Sequence, residues 1–378
     1  MIKNLFLRIA DYIRETDKIL LILVFAASGY GCLAVLTATA YTGSLRQFLT
    51  QLFAMLAGLV IAVFVSNIDY KNLQRHWYLI AALGVLPVLL TFFIGFAPEG
   101  TDDKAWLLLP GGMSFQPAEL LKICFIITFA THLSKVKPHI NKLKTLIPLV
   151  IHGGFPVALI HFQGDDGTAL VFAVIFIVML FSAGLKLRYF AIAGAAAVLA
   201  APFIYFFVLS EDQKARILYL FDLESNLQGI GYQQWMGRIA LANGGFFGQG
   251  LFKGELTQMQ GVPEGHNDFI FVSIGEEMGL LGCIVVLILL CAICFRCVKI
   301  ARLSADDSGM YIATGVFAMF CAQTVINIGM CTSVLPVIGV TLPFFSAGGS
   351  SLLCMLCSVG VVLSVYNHRN SGIIYLHE

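Results

Sequence analysis

Two-thirds of the way along the chain, Pro263-Glu264-Gly265-His266-Asn267-Asp268 stands immediately before the apolar Phe269-Ile270-Phe271. Asp268 can be read as the N-cap of the helix that those apolar residues begin. A carboxylate at a polar–apolar boundary, beside an imidazole, is equally placed to have its pKa raised and to serve as a general base. Spacing alone leaves both readings open. Glu276 and Glu277 follow a turn or two later, at a membrane interface or along a cavity.

Other residues offer complementary chemistry. In Ser114-Phe115-Gln116-Pro117-Ala118-Glu119-Leu120-Leu121-Lys122, the proline suits the first position of a helix and Glu119 its positive end. Glu119 and Lys122 are three apart and share a face, and an ion pair at the edge of a span tends to mark a pathway or site. In Gln163-Gly164-Asp165-Asp166-Gly167-Thr168, two adjacent carboxylates could hold a hard cation, although spacing favours a helix cap. Lys214 and Arg216 lie in a polar stretch, Asp212 to Asn226, and are fit to meet a phosphate. Gly231-Tyr232-Gln233-Gln234 and the glycines at 244, 245, 248 and 250 suit a tightly folded re-entrant element. Near the end, Asn327-Ile328-Gly329-Met330 interrupts an apolar run, and Pro336, Pro343 and the cluster Ser346 to Ser351 break helices at membrane depth. Irregular backbone there is tolerated where it is buried in protein or lines a cavity.

The elements that must position these residues are membrane spans. Of 378 residues, 58% are hydrophobic and 12% charged, against about 25% charged in soluble domains. Runs such as GCIVVLILLCAICF do not alternate as barrel strands do. The fold class is therefore all-α and polytopic. At about 20 apolar residues per span, ten are expected, near 19–40, 47–66, 77–97, 117–134, 145–162, 167–184, 188–209, 270–295, 310–333 and 343–366. The fifth is the least regular, since His152, Gly153, Gly154 and Pro156 interrupt it.

Lys and Arg settle the expected orientation. Sixteen fall on the side of the N-terminus, including Lys3, Arg8 and Arg14, and six on the other. Both termini are thus expected in the cytoplasm, with a large loop at about 210–269 outside. The whole of 1–378 reads as a single membrane domain, and a long first apolar run after a charged segment argues against a cleaved signal. The net charge of +1 gives no reason to expect nucleic acid. Cys291, Cys294 and Cys297, and the pair Cys354 and Cys357, resemble cluster spacing, but inside apolar helices they read as small hydrophobes.

Taken together, W…FQPAELLK, the QxDxGT turn, GYQ with its GG…GxG stretch, PExHxDFIF…GEExG, NIGM and LPxxGxxLPxxSxGGSS resemble the SEDS family (shape, elongation, division and sporulation proteins), in the same order from the first span to the tenth. The resemblance implies a glycosyltransferase that polymerises lipid II on the outer face of the cytoplasmic membrane, with Asp268 as the catalytic residue. It further implies substrate contacts from Trp106, Lys104, Gln116, Glu119, Lys122, Asp165, Arg216, Gln233, Glu264, His266, Asn327, Ser346 and Ser350. A divalent cation, Mg or Mn, would sit near Asp165 or Asp268, and the partner would be a class B penicillin-binding protein beside the eighth and ninth spans.

The chain departs from the family pattern in several places. Ala105 stands where relatives commonly carry arginine, with Lys104 beside it, and Ser114 where some have a basic residue nearby. HTDF reads His266-Asn267-Asp268-Phe269, a QS pair is Met236-Gly237, SYGGS is Ser346-Ala347-Gly348-Gly349-Ser350, and a usual proline is Gly164. These changes keep the catalytic position and alter its contacts, so reduced or specialised activity is an expectation. Two other readings are a lipid-linked precursor flippase, which would place ionisable groups at the bilayer centre, and a non-catalytic scaffold. The short ends favour the rod-shape branch.

Overall fold

The computed structural model describes residues 15–97, 104–109, 113–220 and 231–370. Lys3, Arg8 and Arg14, Asp102 and Asp103, and residues 221–226 of the polar stretch lie outside the described residues.

Ten described helices have 17 or more residues, one in each expected segment. They are α1 (Lys18–Ala38), α2 (Arg46–Ser66), α3 (Trp77–Ile94), α4 (Pro117–Val136), α5 (Leu143–His161), α6 (Asp166–Ser182), α7 (Leu187–Phe207), α10 (Ile270–Arg302), α11 (Asp307–Cys331) and α12 (Gly349–Asn367). Between α7 and α10 lie the shorter α8 (Glu211–Tyr219) and α9 (Tyr232–Gly244). Eight of the ten are long and apolar enough to cross a membrane by length and composition. The other two are α4, which carries Glu119 and Lys122, and α6, which has 17 residues. The chain is an all-α, multi-pass membrane protein.

Local chemistry explains where the helices begin. Asp17 caps α1 by accepting from Leu20 N, and Asp306 caps α11 by accepting from Gly309 N, each at 2.9 Å. Ser210 and Gln213 close a capping box on α8. Pro148 and Pro156 lie inside α5 without ending it, so the segment that looked least regular is one helix.

The bundle is built around α4, α11 and α12, most of whose residues are buried; α7 has none buried. Helix α12 packs along α2, α4 along α3, and α11 against α4, α6 and α10. A short hairpin precedes α4, pairing Leu107–Leu109 (β1) with Met113–Phe115 (β2).

Two features differ from the sequence reading. Asn327 to Met330 does not interrupt a span, because α11 runs through it to Cys331. In contrast, α10 is broken at Gly279, whose φ of 68° and ψ of −166° are not helical. Only glycine fits there. An added Cβ would lie 2.4 Å from Gly248 N, and the left-handed φ is strained for any other residue. The glycine-rich segment after α9 fills the break: Gln249 N and Gly250 N donate to Glu276 O and Glu277 O, and Leu280 N donates to Gly245 O. Gly244 lets that segment approach, since a Cβ on it would meet Gly275 O at 1.9 Å. The glycine-rich segment is tightly folded, and its main chain satisfies the groups that the broken helix leaves unpaired.

Candidate active site

Asp268 sits on the turn that leads into α10, and that turn is held by its main chain. Three successive carbonyls accept from three different donors. Ala347 N donates to His266 O at 2.9 Å, Ser346 Oγ to Asn267 O at 2.8 Å, and Asn327 Nδ2 to Asp268 O at 2.7 Å. Asn327 donates its second amide hydrogen to Val340 O, also at 2.7 Å. One buried side chain therefore joins the Asp268 turn to the irregular segment between α11 and α12. That segment is fixed from behind by Gln51 of α2, which donates to Ser346 O at 3.0 Å and accepts from Gly348 N at 3.1 Å. Within the turn, Glu264 O accepts from Asn267 N and Phe269 N, and its carboxylate accepts from Asn267 Nδ2 at 2.6 Å.

The half-buried Asp268 has its carboxyl pushed up to about 7, chiefly by burial and then by the negative charges of Glu264 and Asp165. A carboxylate so tuned exchanges its proton near neutral pH, as a general base requires. Asp268 is not spent as a helix cap: α10 has no side-chain cap at its start.

Asp165 performs the capping role that its spacing favours, accepting from Thr168 N at 2.8 Å through Oδ1. Its Oδ2 accepts from Gln116 Nε2, also at 2.8 Å, which brings the start of α4 to the start of α6. Burial raises the Asp165 carboxyl, opposed by its Thr168 hydrogen bonds and the nearby Lys122 charge. Asp166 is directed elsewhere, bonded to His161 and Gln213, so the two adjacent aspartates diverge and do not form a joint cation cradle. Glu119 and Lys122 form a buried ion pair at 2.9 Å. Glu119 Oε2 has no protein partner among the described residues.

The remaining expected residues fall into two groups. Arg216 of α8 donates to Val337 O at 3.1 Å, over the irregular segment, and Gln233 of α9 donates to Pro263 O at 3.0 Å, just before the Asp268 turn. His266 lies 3.3 Å from Gln47 of α2, and burial lowers its imidazole pKa against the opposing charge of Glu264. Ser350 is buried in the first turn of α12. Trp106 is half-buried and its main chain bridges to Phe96, while Lys104 and Ser114 are exposed and Ala105 is buried. Two expectations of substrate contact change character. Asn327 is fully buried with both amide hydrogens bonded to main chain, and the Ser346 hydroxyl is bonded on both sides, accepting from Leu342 N as well as donating. Both hold the site rather than face a ligand.

Sequence reading missed Gln47 and Gln51, although two amides one turn apart in an apolar span are a legible signal. It also left Glu276 and Glu277 undecided. Glu276 accepts from Leu256 N, Thr257 N and Thr257 Oγ1 at 2.6–2.8 Å, and so ties the loop's short helical turn to α10.

A divalent cation was expected near Asp165 or Asp268. Among the described residues no three His, Cys, Asp or Glu side chains meet as a metal-holding group. A hard cation held by one or two carboxylates together with substrate phosphate oxygens does not need three protein ligands, and Asp165 is near enough to Asp268 for its charge to raise that carboxyl.

A family described as "cell cycle protein", covering FtsW, RodA and SpoVE, matches residues 18–371. A probable peptidoglycan glycosyltransferase FtsW of Trichlorobacter lovleyi is 34% identical over 367 residues, covering 95% of this chain and 94% of the relative. The peptidoglycan glycosyltransferase MrdB of Escherichia coli K12 is 31% identical over 361 residues, covering 93% and 94%. Among solved structures, a chain of a peptidoglycan synthase complex that coordinates polymerization and crosslinking superposes with a TM-score of 0.79 at 26% identity, covering 94% of this chain and 98% of that one. The rod shape determining protein RodA of Thermus thermophilus, in a variant with one aspartate replaced by alanine, gives 0.70 at 25%, covering 94% and 98%.

Proposed function

The chain belongs to the FtsW, RodA and SpoVE family of cell cycle proteins, and from that premise we propose how it works as a peptidoglycan glycosyltransferase centred on Asp268. The observation that carries the site is the turn at 266–268, clamped through three carbonyls while its carboxylate is tuned to about 7.

The substrate is lipid II, a disaccharide-peptide on undecaprenyl pyrophosphate. Asp268 takes the proton from the 4-hydroxyl of the acceptor GlcNAc as that oxygen attacks the anomeric carbon of the donor MurNAc. The bond to the pyrophosphate breaks and the undecaprenyl pyrophosphate departs. One displacement converts the α-linked donor into a β-linked product, which is inversion. Developing charge on the pyrophosphate needs a positive partner. Arg216 is the best placed of the basic candidates, because it is exposed above the irregular segment, whereas Lys214 is paired with Glu211 and Lys122 is enclosed and paired with Glu119. Lys122 then acts through Asp165, whose charge it stabilises. A bound Mg or Mn, held by Asp165 or Asp268 with phosphate oxygens, would supply further neutralisation of the leaving group.

The site faces the outside of the cytoplasmic membrane of a bacterium, as the distribution of Lys and Arg supports. A class B penicillin-binding protein is the partner, its transmembrane helix packed on α10 and α11. A flippase is disfavoured by the gathering of Asp165, Glu264 and Asp268 at one end of the bundle. The titratable pair deeper in the spans, His132 and His152 with Nδ1 atoms 3.1 Å apart, lies about 20 Å along α4 from Glu119 and does not continue the site. The test is glycan polymerisation from purified lipid II by the chain in vesicles, with and without penicillin-binding protein and divalent cation. Absence of polymer under every condition would contradict the proposal.

A further inference from the structure

The break in α10 divides it at a meaningful height. From Leu280 to Arg302 the helix rises about 34 Å, close to the hydrocarbon thickness of about 30 Å. Lys299 and Arg302 mark the lower end. Gly279 therefore lies near the opposite edge of the hydrocarbon layer. At that height the chain places the segment after α9, bonded to the break through Leu280 N to Gly245 O and Leu281 N to Phe246 O.

The side chains that this segment presents are not those of a water-facing loop. Phe246 is 53% exposed, Phe247 77%, Leu251 42% and Phe252 49%. The Phe246 and Phe247 rings meet edge to face, 5.0 Å apart. Phe252 holds a φ of 63°, a conformation that bulky residues rarely adopt. Lys253, beside it, is exposed. The helix emerging below the break continues the apolar surface through exposed Leu280, Leu281 and Ile284.

We infer that the Phe246–Lys253 segment is a membrane anchor, its aromatic rings seated in the interfacial layer of the leaflet nearest Asp268 and Lys253 directed to lipid phosphate. Three observations select lipid as the occupant. The patch is at the height where aromatic residues concentrate in membrane proteins. It is continuous with the exposed face of a spanning helix, and a cation flanks it. Exposed apolar patches of this kind mark a membrane or a protein partner, and a protein partner is the alternative that the test separates.

The full-length chain carrying Phe247→Trp is reconstituted alone in vesicles of phosphatidylcholine and phosphatidylglycerol. Its emission in excess of wild type is measured with acyl chains brominated near the headgroup, near the bilayer centre, or not at all. We expect that excess to fall by about half or more with the shallow bromines, less with the deep ones, and to be shielded from aqueous acrylamide. Excess emission untouched by bromines and open to acrylamide would overturn the anchor and leave the patch to a protein partner. Leu251→Trp reads the same layer should Phe247→Trp fail to fold.

Discussion

Asn327 donates one amide hydrogen to the main-chain carbonyl of Asp268 and the other to that of Val340, each at 2.7 Å. The donor is fully buried on α11, and its two acceptors come from the turn before α10 and the segment before α12. The turn that carries the Asp268 carboxylate is therefore held by a side chain 59 positions further along the chain, which ties it to the segment before α12.

Replacing Asn327 by leucine removes both bonds and leaves two buried carbonyls without that donor, at about 1–3 kcal/mol each. We expect a lowered melting temperature and a rate reduced by about 100-fold, the scale of a 1 Å misplacement. Cys331, whose thiol also reaches Asp268 O at 3.5 Å, should matter much less. An unchanged rate in the Asn327→Leu variant would show that the turn holds its shape without the clamp.

The charge on Asp268 predicts a pH profile. With the carboxyl near 7, the basic form is lost on acidification, so the rate should fall about tenfold per unit below that value. Glu264→Gln removes one of the charges that raise it, and the acid limb should move to lower pH. Stability runs the other way. The folded state holds this proton above the ordinary value of about 4, so the stabilisation is full below that value and is lost as pH rises through about 7. Polymerisation rates and thermal melts across this window check both.

The buried pair of α4 should be unequal to its parts. Lys122→Met leaves Glu119 charged and unpaired in the bundle, a loss of about 3–5 kcal/mol. Lys122→Met combined with Glu119→Leu should recover much of that stability. Equal losses in single and double variants, read by thermal unfolding in detergent, would contradict the pairing.

Gly279→Ala tests the break in α10. The added methyl enters a space already occupied by Gly248 N and Phe246 O, at 2.4 and 2.6 Å, on a backbone that disfavours it. Loss of folded protein, by more than about 2 kcal/mol, is the expected outcome. Protease access to the segment after α9 should rise with it.

Much of this was legible beforehand because membrane depth is written in composition. Each expected span contains a helix, and Pro117, Asp165 and the glycines after α9 take the roles that their types allow. What escaped was long-range. Nothing local distinguishes Gly279 from Gly282 in α10, since the break exists only because a segment some thirty residues earlier supplies its hydrogen bonds. Asn327 looked like an interruption because a polar residue in a span is costly unless it is paired, and its partners lie in other segments. Family resemblance implied Asn327 and Ser346 as substrate contacts, whereas the structure bonds both side chains to the main chain that holds the turn. Relatives of the FtsW and MrdB types match at 34% and 31% identity, so resemblance does not favour one branch over the other.

The most direct measurement compares wild type with Asp268→Asn in glycan polymerisation from purified lipid II, after melting curves show that both are folded. Asparagine keeps the size of the side chain and its main-chain bonds but cannot accept the proton. Polymer from wild type, with a loss of about 1,000-fold or more in the variant, is the predicted result for a general base on which the reaction depends. Comparable polymer from both would contradict the assignment of Asp268 as the base.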